Sequence, residues 1–485
     1  MSFMRSLLSA LPLVALAACT AGPDYRGPET AKAVSPGAQF VRTAEGVSAQ
    51  APAAAAWWTT LGDPVLDALE TRALAANPGV AVAEARVRQA RASLRSERAN
   101  ALPSANASAL YVHATLPGVD LGSSNGDSSG GSDQSGNDSQ SLNLYNLGFD
   151  ASWEADLWGG KRRGVEAARA QLDAAQANVA DAQVSLTAEI AQAYVDLRDR
   201  QQRMALAQDS AARQREMLRL TQQRQERGTA SALELEQQRH QLELAEAAIL
   251  PLNAERQAYL NALATLAGEA PGALDDMLGE TAAVPLPPSH VAVGDPADLL
   301  KRRPDVRSAE RQYAAATAKI GVAQAARFPS ISFMGLIGIG GTRAGDLFDF
   351  DKLATIAMPR LSWRFLDFGR NAARVEQAEG KQDEAAAQYR QSILDALRDS
   401  EDALARFGAQ RLNVASAARS RGSADRSAAL MRQRFEAGTA TRIQLLDAER
   451  QSIAAGQALV QGTSAMTAGY IALQKALGLG WEGPR

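Results

Sequence analysis

Two very long stretches without proline constrain the fold of this 485-residue chain more than any other feature. The first lies between about Gly160 and Gly228, the second between about Phe368 and Gly438, and both are dense in Ala, Gln, Glu, Arg and Leu. These residues favour helix, and roughly 68 of them at ~1.5 Å each make a rod about 100 Å long. Because no compact globular domain contains such a rod, the sequence predicts an elongated, largely helical protein.

Apolar residues repeat along both stretches at the spacing of packed helices. In the first stretch they recur every seven residues, and in the second at mixed spacings of three, four and seven: Leu172, Val179, Leu186 and Ala193, then Ile393, Leu397, Leu404, Phe407 and Val414. This pattern is typical of coiled-coil-like seams. A solvated helical stalk is the alternative that the pattern alone leaves open.

The chain contains an internal duplication. Leu102-Pro103-Ser104 recurs as Phe328-Pro329-Ser330, at an offset of 226 in the numbering, whereas Trp153 recurs as Trp363, at an offset of 210. The smaller second offset locates an insertion in the first copy, where 122–139 is almost wholly Gly, Ser, Asp, Asn and Gln. That composition is typical of a flexible, solvated loop.

The duplication predicts the domain organisation. The divisions are a signal peptide (1–18), an extended and lipidated N-terminal segment (19–62), a first repeat (63–280), a linker (281–295) and a second repeat (296–485). Each repeat is predicted to hold two strands, a long helix and a further helix, at 105–117, 141–155, 160–228 and 230–267, then at 330–341, 353–365, 367–437 and 440–478. Pro251 is expected to kink the helix at 230–267.

The N-terminus has the features of an export signal. Its apolar run, Leu7 to Ala18, is 12 residues long, whereas a membrane-spanning helix needs about 20. Leu16-Ala17-Ala18-Cys19 resembles the lipobox of bacterial lipoproteins, and Cys19 is the only cysteine. We therefore expect acylation of Cys19, including palmitate, with cleavage nearby by the ordinary signal peptidase as the alternative. Thr20 follows the cysteine, and by resemblance to other lipoproteins the absence of Asp there argues against retention in the inner membrane.

Apolar residues alternate with polar or small residues along the predicted strands. In one strand of the first repeat the apolar set is Tyr145, Leu147, Phe149, Ala151 and Trp153. This period of two predicts strands with one apolar and one polar face. Trp153 and Trp363 lie at matching strand ends, where aromatic residues suit a membrane–water interface.

The strands are expected to need partners from other chains. Beyond the leader no apolar stretch is long enough for a membrane-spanning helix, so any embedded part should be a β-barrel. Four strands per chain do not close a barrel, whereas two chains would supply eight and three would supply 12. A soluble four-stranded sheet with one buried face is the alternative.

Composition and histidine placement argue against catalysis and nucleic-acid binding. Lys and Arg number 51 against 54 Asp and Glu, for a formal net charge of −3, so no nucleic-acid partner is implied. His113, His240 and His290 lie in different predicted elements. We find no phosphate loop, zinc-ligand spacing or nucleophile elbow, and therefore expect no catalytic or metal residues and no enzyme.

Four further motifs, in this order on the duplicated frame, resemble those of the outer-membrane factor family, in its efflux lipoprotein branch. They are Gly22-Pro23-Asp24-Tyr25, Trp57-Trp58, Asp156-Leu157-Trp158-Gly159 and Leu477-Gly478-Leu479-Gly480-Trp481. The resemblance covers essentially the whole mature chain. It implies a membrane α+β fold: a homotrimeric channel-tunnel with a 12-stranded transmembrane β-barrel, four strands per chain, and a long periplasmic α-helical barrel.

The same resemblance implies a function. Such a protein is the outer-membrane channel of a tripartite efflux system, working with a periplasmic adaptor (membrane fusion protein) and an inner-membrane pump of RND type, and contributing to antibiotic resistance. It needs no cofactor besides the lipid on Cys19. A type I protein-secretion channel is the alternative. A periplasmic adaptor is a further alternative, against which the duplication and the amphipathic strands argue, and a structural coiled-coil lipoprotein is the third. Drugs, metals, aromatic compounds and proteins all remain open as cargo.

The resemblance also assigns a gate and a docking tip. The turns Gly228-Thr229 and Gly438-Thr439 end the long helices, and in the family such turns form the periplasmic tip where the adaptor docks. Ile443 and Asp447 lie four apart on one helix face, which lines the constriction in the family. Arg434 matches a family position that ties the closed tip together, with Glu234 as a possible partner in this latch. The alternatives are simple helix caps, a packed Ile443 and a solvated Asp447.

Overall fold

The computed structural model describes residues 20–27, 39–42, 45–52, 55–117 and 139–481. Cys19 and nearly all of the insertion at 122–139 therefore lie outside the described residues. The chain divides into two compact units. Unit 1 is formed by the described residues within 1–26, 90–171 and 313–384, and unit 2 by those within 27–89, 172–312 and 385–485.

The helices and strands follow the duplicated order. The strands are β1 (Val47–Ser48), β2 (Ser104–Pro117), β3 (Ser139–Ala155), β4 (Val291–Ala292), β5 (Ser330–Gly341) and β6 (Leu353–Ser362). The helices are α1 (Pro64–Ala76), α2 (Pro78–Ala99), α3 (Gly160–Glu226), α4 (Ala232–Ala247), α5 (Ile249–Leu266), α6 (Asp275–Leu278), α7 (Pro296–Arg302), α8 (Pro304–Ala325), α9 (Arg370–Glu436) and α10 (Arg442–Ala476). Short 3₁₀ helices lie at Trp57–Leu61, Ala344–Phe348 and Phe350–Lys352.

Unit 1 contains an antiparallel sheet in the order β2-β3-β5-β6. Phe149 lies opposite Ile337 across the central pair of strands, and the two side chains are 63% and 45% exposed. The apolar face predicted from the alternation is therefore uncovered in a single chain. Within the described residues, the outer edges of β2 and β6 also have no partner strand.

Strand β6 is shorter than the sequence predicted. The alternating pattern placed a strand at 353–365, but pairing with β5 ends where Ser362 lies opposite Ser330. Residue 329 on the partner side is proline, which has no N–H to donate to a ladder, so the pairing of β6 with β5 does not continue past Ser330. Trp363 lies just beyond β6, whereas Trp153 lies inside β3 because it also pairs with Phe333 of β5.

The two long helices, α3 and α9, are each 67 residues long. On α9 the predicted seam residues Ile393, Leu404 and Phe407 are 4%, 1% and 0% exposed, so that seam is packed rather than solvated. On α3 only Leu186 of the four predicted seam residues is buried, and the other three are partly buried. Among the helices that the structure describes, none combines the length and apolar character needed to cross a membrane.

The helix predicted at 230–267 is two helices. It breaks at Ala248, between α4 and α5, and Pro251 lies in the first turn of α5. The proline ring clashes with the carbonyl four residues earlier and supplies no N–H, so one straight helix through this segment is disfavoured. The break falls just before the proline expected to cause it.

The core of unit 2 contains much of what was predicted to be extended chain. Within 19–62, β1 pairs in parallel with β4 of the predicted linker. The 3₁₀ helix Trp57–Leu61 buries both tryptophans. Tyr194 is fully buried and donates a 2.6 Å hydrogen bond to Asp63, which also caps α1. Burial first, and then this hydrogen bond, raise the pKa of Tyr194, so the phenol stays protonated.

Candidate functional site

The two turns that end the long helices have the same structure. Gly228 and Gly438 have φ angles of 73° and 72°, in the left-handed region that favours glycine. Thr229 N–H donates to Arg224 O and Thr439 N–H to Arg434 O, each at 2.8 Å. These six-to-one bonds, with a glycine between, form the Schellman motif that terminates helices. The structure therefore confirms helix capping at both turns, and docking there stays a prediction.

Arg434 is part of its own turn. Its Nη2 donates to Thr439 O at 3.4 Å, as Arg224 Nη2 does to Thr229 O at 2.9 Å. Within the described chain it forms no ion pair with Glu234 or Asp447. Within a single chain Arg434 therefore caps its own helix, and an ion-pair latch would require an acidic residue from a neighbouring chain.

Glu234 occupies a helix start. It is the third residue of α4, and its backbone N–H donates to Ser231 Oγ at 3.1 Å. Its equivalent in the second repeat is Gln444, whose side chain accepts from Thr441 N–H at 2.8 Å in a reciprocal capping box. The two equivalent positions therefore carry an acid in the first repeat, Glu234, and an amide in the second, Gln444. Its side chain is exposed.

Ile443 and Asp447 lie on the less buried side of α10. Both are partly buried, whereas Leu445 and Leu446 between them are 1% and 0% exposed. Asp447 accepts hydrogen bonds from Arg450 at 2.8 Å and from Gln451 at 2.9 Å. One chain therefore places the two gate candidates on a shared face but holds the carboxylate in local contacts. A ring of Ile443 or Asp447 side chains around a pore would require further copies of the chain.

A set of ion pairs near these residues was not predicted from the sequence. Arg442 contacts both carboxylate oxygens of Glu216 at 3.0 Å, which joins the first turn of α10 to α3. This hydrogen bond lowers the pKa of Glu216. Glu449, 8% exposed, bridges Arg213 on α3 and Arg432 on α9 at 3.3 and 2.8 Å. These ion pairs join residues of different helices, and no periodic sequence pattern indicates which residues pair.

The two tryptophans that were predicted to lie at a membrane interface make equivalent hydrogen bonds. Trp153 Nε1 donates to Ala101 O at 3.0 Å, and Trp363 Nε1 donates to Arg327 O at 3.2 Å. Both acceptors lie shortly before the proline that precedes a strand. The tryptophans are 38% and 56% exposed. A partly exposed ring whose N–H has an acceptor is suited to a membrane interface.

The residues that follow Cys19 are held firmly in unit 1. Arg163, 5% exposed, donates to Ala21 O and Gly22 O at 3.3 and 3.2 Å and pairs with Asp24 at 2.5 Å. This hydrogen bond lowers the pKa of Asp24. A Cβ at Gly22 would collide with the backbone of Gly321. The Gly-Pro-Asp-Tyr motif thus fixes the chain immediately after the proposed lipid.

In the part of the chain that the structure describes, no group of three or more His, Cys, Asp and Glu side chains is arranged to hold a metal ion. The candidate site described above consists of helix ends, ion pairs and strand edges.

Each repeat contributes two strands to a sheet with an uncovered apolar face and one 67-residue helix with an equivalent end turn. This combination defines the class of outer-membrane channel proteins. The chain belongs to the outer membrane efflux protein family, whose model matches residues 69–269 and 296–479. It is the outer-membrane channel component of an efflux system. This membership decides against the adaptor alternative.

Similar proteins of comparable length support this assignment. The pyoverdine export outer membrane protein OpmQ of Pseudomonas aeruginosa is 33% identical over 88% of each chain. Outer membrane protein OprJ of the same organism is 30% identical over 99% of this chain and 96% of its own. The solved outer-membrane channel OprN is 32% identical, with a TM-score of 0.84 over 96% of this chain and 100% of that one.

Proposed function

We propose that three copies of this chain close their sheets into one 12-stranded barrel and passively conduct cargo from an RND-type inner-membrane pump and its periplasmic adaptor. The observation that carries this proposal is the pair of unpartnered sheet edges, β2 and β6, in the described chain. Unpaired backbone groups in lipid cost several kcal/mol each, so a membrane sheet must close on itself. Four strands from each of three chains satisfy every edge.

The two turns support the adaptor as a partner. Gly228-Thr229 and Gly438-Thr439 have the same backbone geometry and are exposed in the described chain. Three chains therefore present six nearly equivalent turns, which suits the hexameric adaptor that the family resemblance implies. Ile443 and Asp447 from three chains would close the conduit at this end with an apolar ring and an anionic ring.

The test of this function combines assembly with conduction. Unheated samples on a denaturing gel should migrate as trimers and heated samples as monomers. The purified trimer should form ion-conducting pores in planar bilayers, and a strain lacking the protein should become more sensitive to the cargo of its pump. A monomer that never conducts, or a deletion strain with unchanged efflux, would contradict the proposal.

We further propose that Cys19 carries the lipid that anchors the N-terminus. Cys19→Ser should leave the protein exported and trimeric but without incorporated radiolabelled palmitate, because one lipid adds little affinity beside a spanning barrel. Thr20→Ala is the matched control, since it retains the thiol and should still be labelled. Palmitate in the Cys19→Ser chain would refute acylation at this residue.

A further inference from the structure

Phe368 has an unexplained conformation in a single chain. It is 86% exposed and has a φ of 53°, the only positive value for a residue other than glycine among the described residues. A left-handed residue with a Cβ costs about 1–2 kcal/mol. Nothing in the described part of its own chain covers the ring enough to offset that cost.

The equivalent of Phe368 in the first repeat, at the offset of 210, is Trp158, and it is docked. Its ring stacks on Phe328 with centroids 4.6 Å apart. Its Nε1 donates to Pro329 O at 2.7 Å. Trp158 belongs to the first repeat and its two partners to the second, so this contact joins unlike repeats.

The equivalent partners for Phe368 also exist, but not beside it. Phe328 and Pro329 correspond to Leu102 and Pro103, at the offset of 226. Leu102 is 65% exposed. It precedes β2, whereas Phe368 follows β6, and β2 and β6 form opposite edges of the sheet. The surface equivalent to the Trp158 site is therefore available only on a second copy of the chain.

The same two numbering offsets also relate the strands at the sheet edges to the paired strands at its centre. β3 maps onto β6 by adding 210, and β5 maps onto β2 by subtracting 226. In one chain Trp153 lies opposite Phe333 and Asp150 opposite Leu336. The mapped pairs are Trp363 with Ala107, and Arg360 with Leu110.

We propose that the seam between neighbouring protomers reproduces the β3–β5 seam residue for residue. β6 of one protomer pairs antiparallel with β2 of the next, with Trp363 opposite Ala107 and Arg360 opposite Leu110, and Phe368 packs on Leu102 and Pro103 of that protomer. This inference rests on the proposed trimeric barrel and adds its register and its contact residues.

The side-chain alternation agrees with this register. It sets Leu361 opposite Ala109, which continues the face that carries Phe149 and Ile337. A slip of one residue would turn every side chain of β6 to the other face and interrupt the apolar band. The register is therefore specified by burial in lipid as well as by repetition.

Disulfide trapping in intact outer membranes tests the register. Arg360→Cys with Leu110→Cys, and separately Leu361→Cys with Ala109→Cys, are oxidised with copper phenanthroline. Adjacent pairs alternate between wide and close Cα spacing, so at least one suits a disulfide. Asp150→Cys with Leu336→Cys is the intrachain control, and Arg360→Cys with Ala114→Cys is the control displaced along β2.

We expect reducible covalent dimers and trimers from at least one seam pair. The intrachain control should stay monomeric after heating, and the displaced control should give far less product than the seam pairs. Intact noncovalent trimers with no seam cross-link, or with the displaced pair cross-linking as well, would overturn the register while the channel function stands. Absence of any trimer before oxidation would instead refute the proposed function.

Phe368→Ala provides a measurement that needs no cysteine. It should lower the temperature at which the trimer dissociates on a gel, because the mutation removes an interchain contact. Phe348→Ala is the matched control, since Phe348 is 84% exposed and lies in the segment between β5 and β6. Equal dissociation temperatures for wild type and Phe368→Ala would refute the Phe368 contact.

Discussion

Arg434→Ala is expected to raise single-channel conductance in planar bilayers and to make cells leakier to large antibiotics. Exposed ion pairs are typically worth only about 0–1 kcal/mol, so the fold should be unaffected. Three lost interchain links of about 0.5 kcal/mol each would nevertheless shift the closed-to-open ratio roughly tenfold. Conductance in bilayers and vancomycin sensitivity of cells measure this change.

The duplication supplies a control for the capping role of Arg434. Arg224 makes the same hydrogen bond to the carbonyl of the threonine in the first turn. If Arg434 acts as an interchain latch, Arg224→Ala should leave conductance near the wild-type value. Equal increases from both variants would show that weakened turns, rather than a lost latch, open the tip.

Substitutions of the two predicted ring residues, Asp447 and Ile443, test the same gate. Asp447→Ala should weaken block by multivalent cations, because it removes three carboxylates from a narrow aperture, and Ile443→Ala should widen the apolar ring. Leu233→Ala is the repeat control for Ile443 because Leu233, at the equivalent position, is 68% exposed. Unchanged conductance and cation block in the Arg434, Asp447 and Ile443 variants, with trimers intact, would place the constriction elsewhere.

Glu70→Gln is expected to stabilise the protein at alkaline pH. Glu70 is fully buried on α1, and neither carboxylate oxygen has a hydrogen-bond partner among the described residues. Burial, and secondarily the charge of Asp67, raise the pKa of Glu70 well above its ordinary value. Ionising an unpaired buried carboxyl is costly, and a neutral amide of the same size avoids that cost.

The raised pKa fixes the direction of the pH dependence. The stability associated with protonated Glu70 is fully present below the unfolded pKa and is lost as pH rises through the folded pKa. Wild type should therefore lose more thermal stability than Glu70→Gln between pH 5 and pH 9, as followed by circular dichroism in detergent. Glu84→Gln, at an exposed position on α2, should match wild type. A Glu70→Gln variant that is less stable at pH 9 would show that the carboxylate is ionised and paired.

Local patterns predicted the elements whose determinants lie within a few residues of one another. The abundance of strong helix formers, together with the absence of proline, predicted α3 and α9, and glycine residues predicted where these helices end. Both predictions succeed because helix propensity and a left-handed φ are local properties. Alternation predicted β5 at the bounds that the structure has. The repeat offsets predicted that Trp153 and Trp363 are equivalent, and their hydrogen bonds agree.

Tertiary structure alone decided the contacts between distant residues. Glu216 and Arg442 lie in different repeats, and nothing near either residue indicates the partner. The end of the β5–β6 pairing depended on Pro329, which immediately precedes β5, and the burial of Glu70 depended on the residues packed around α1. Amino-acid sequence encodes propensity and period, whereas partner choice depends on which faces meet after folding.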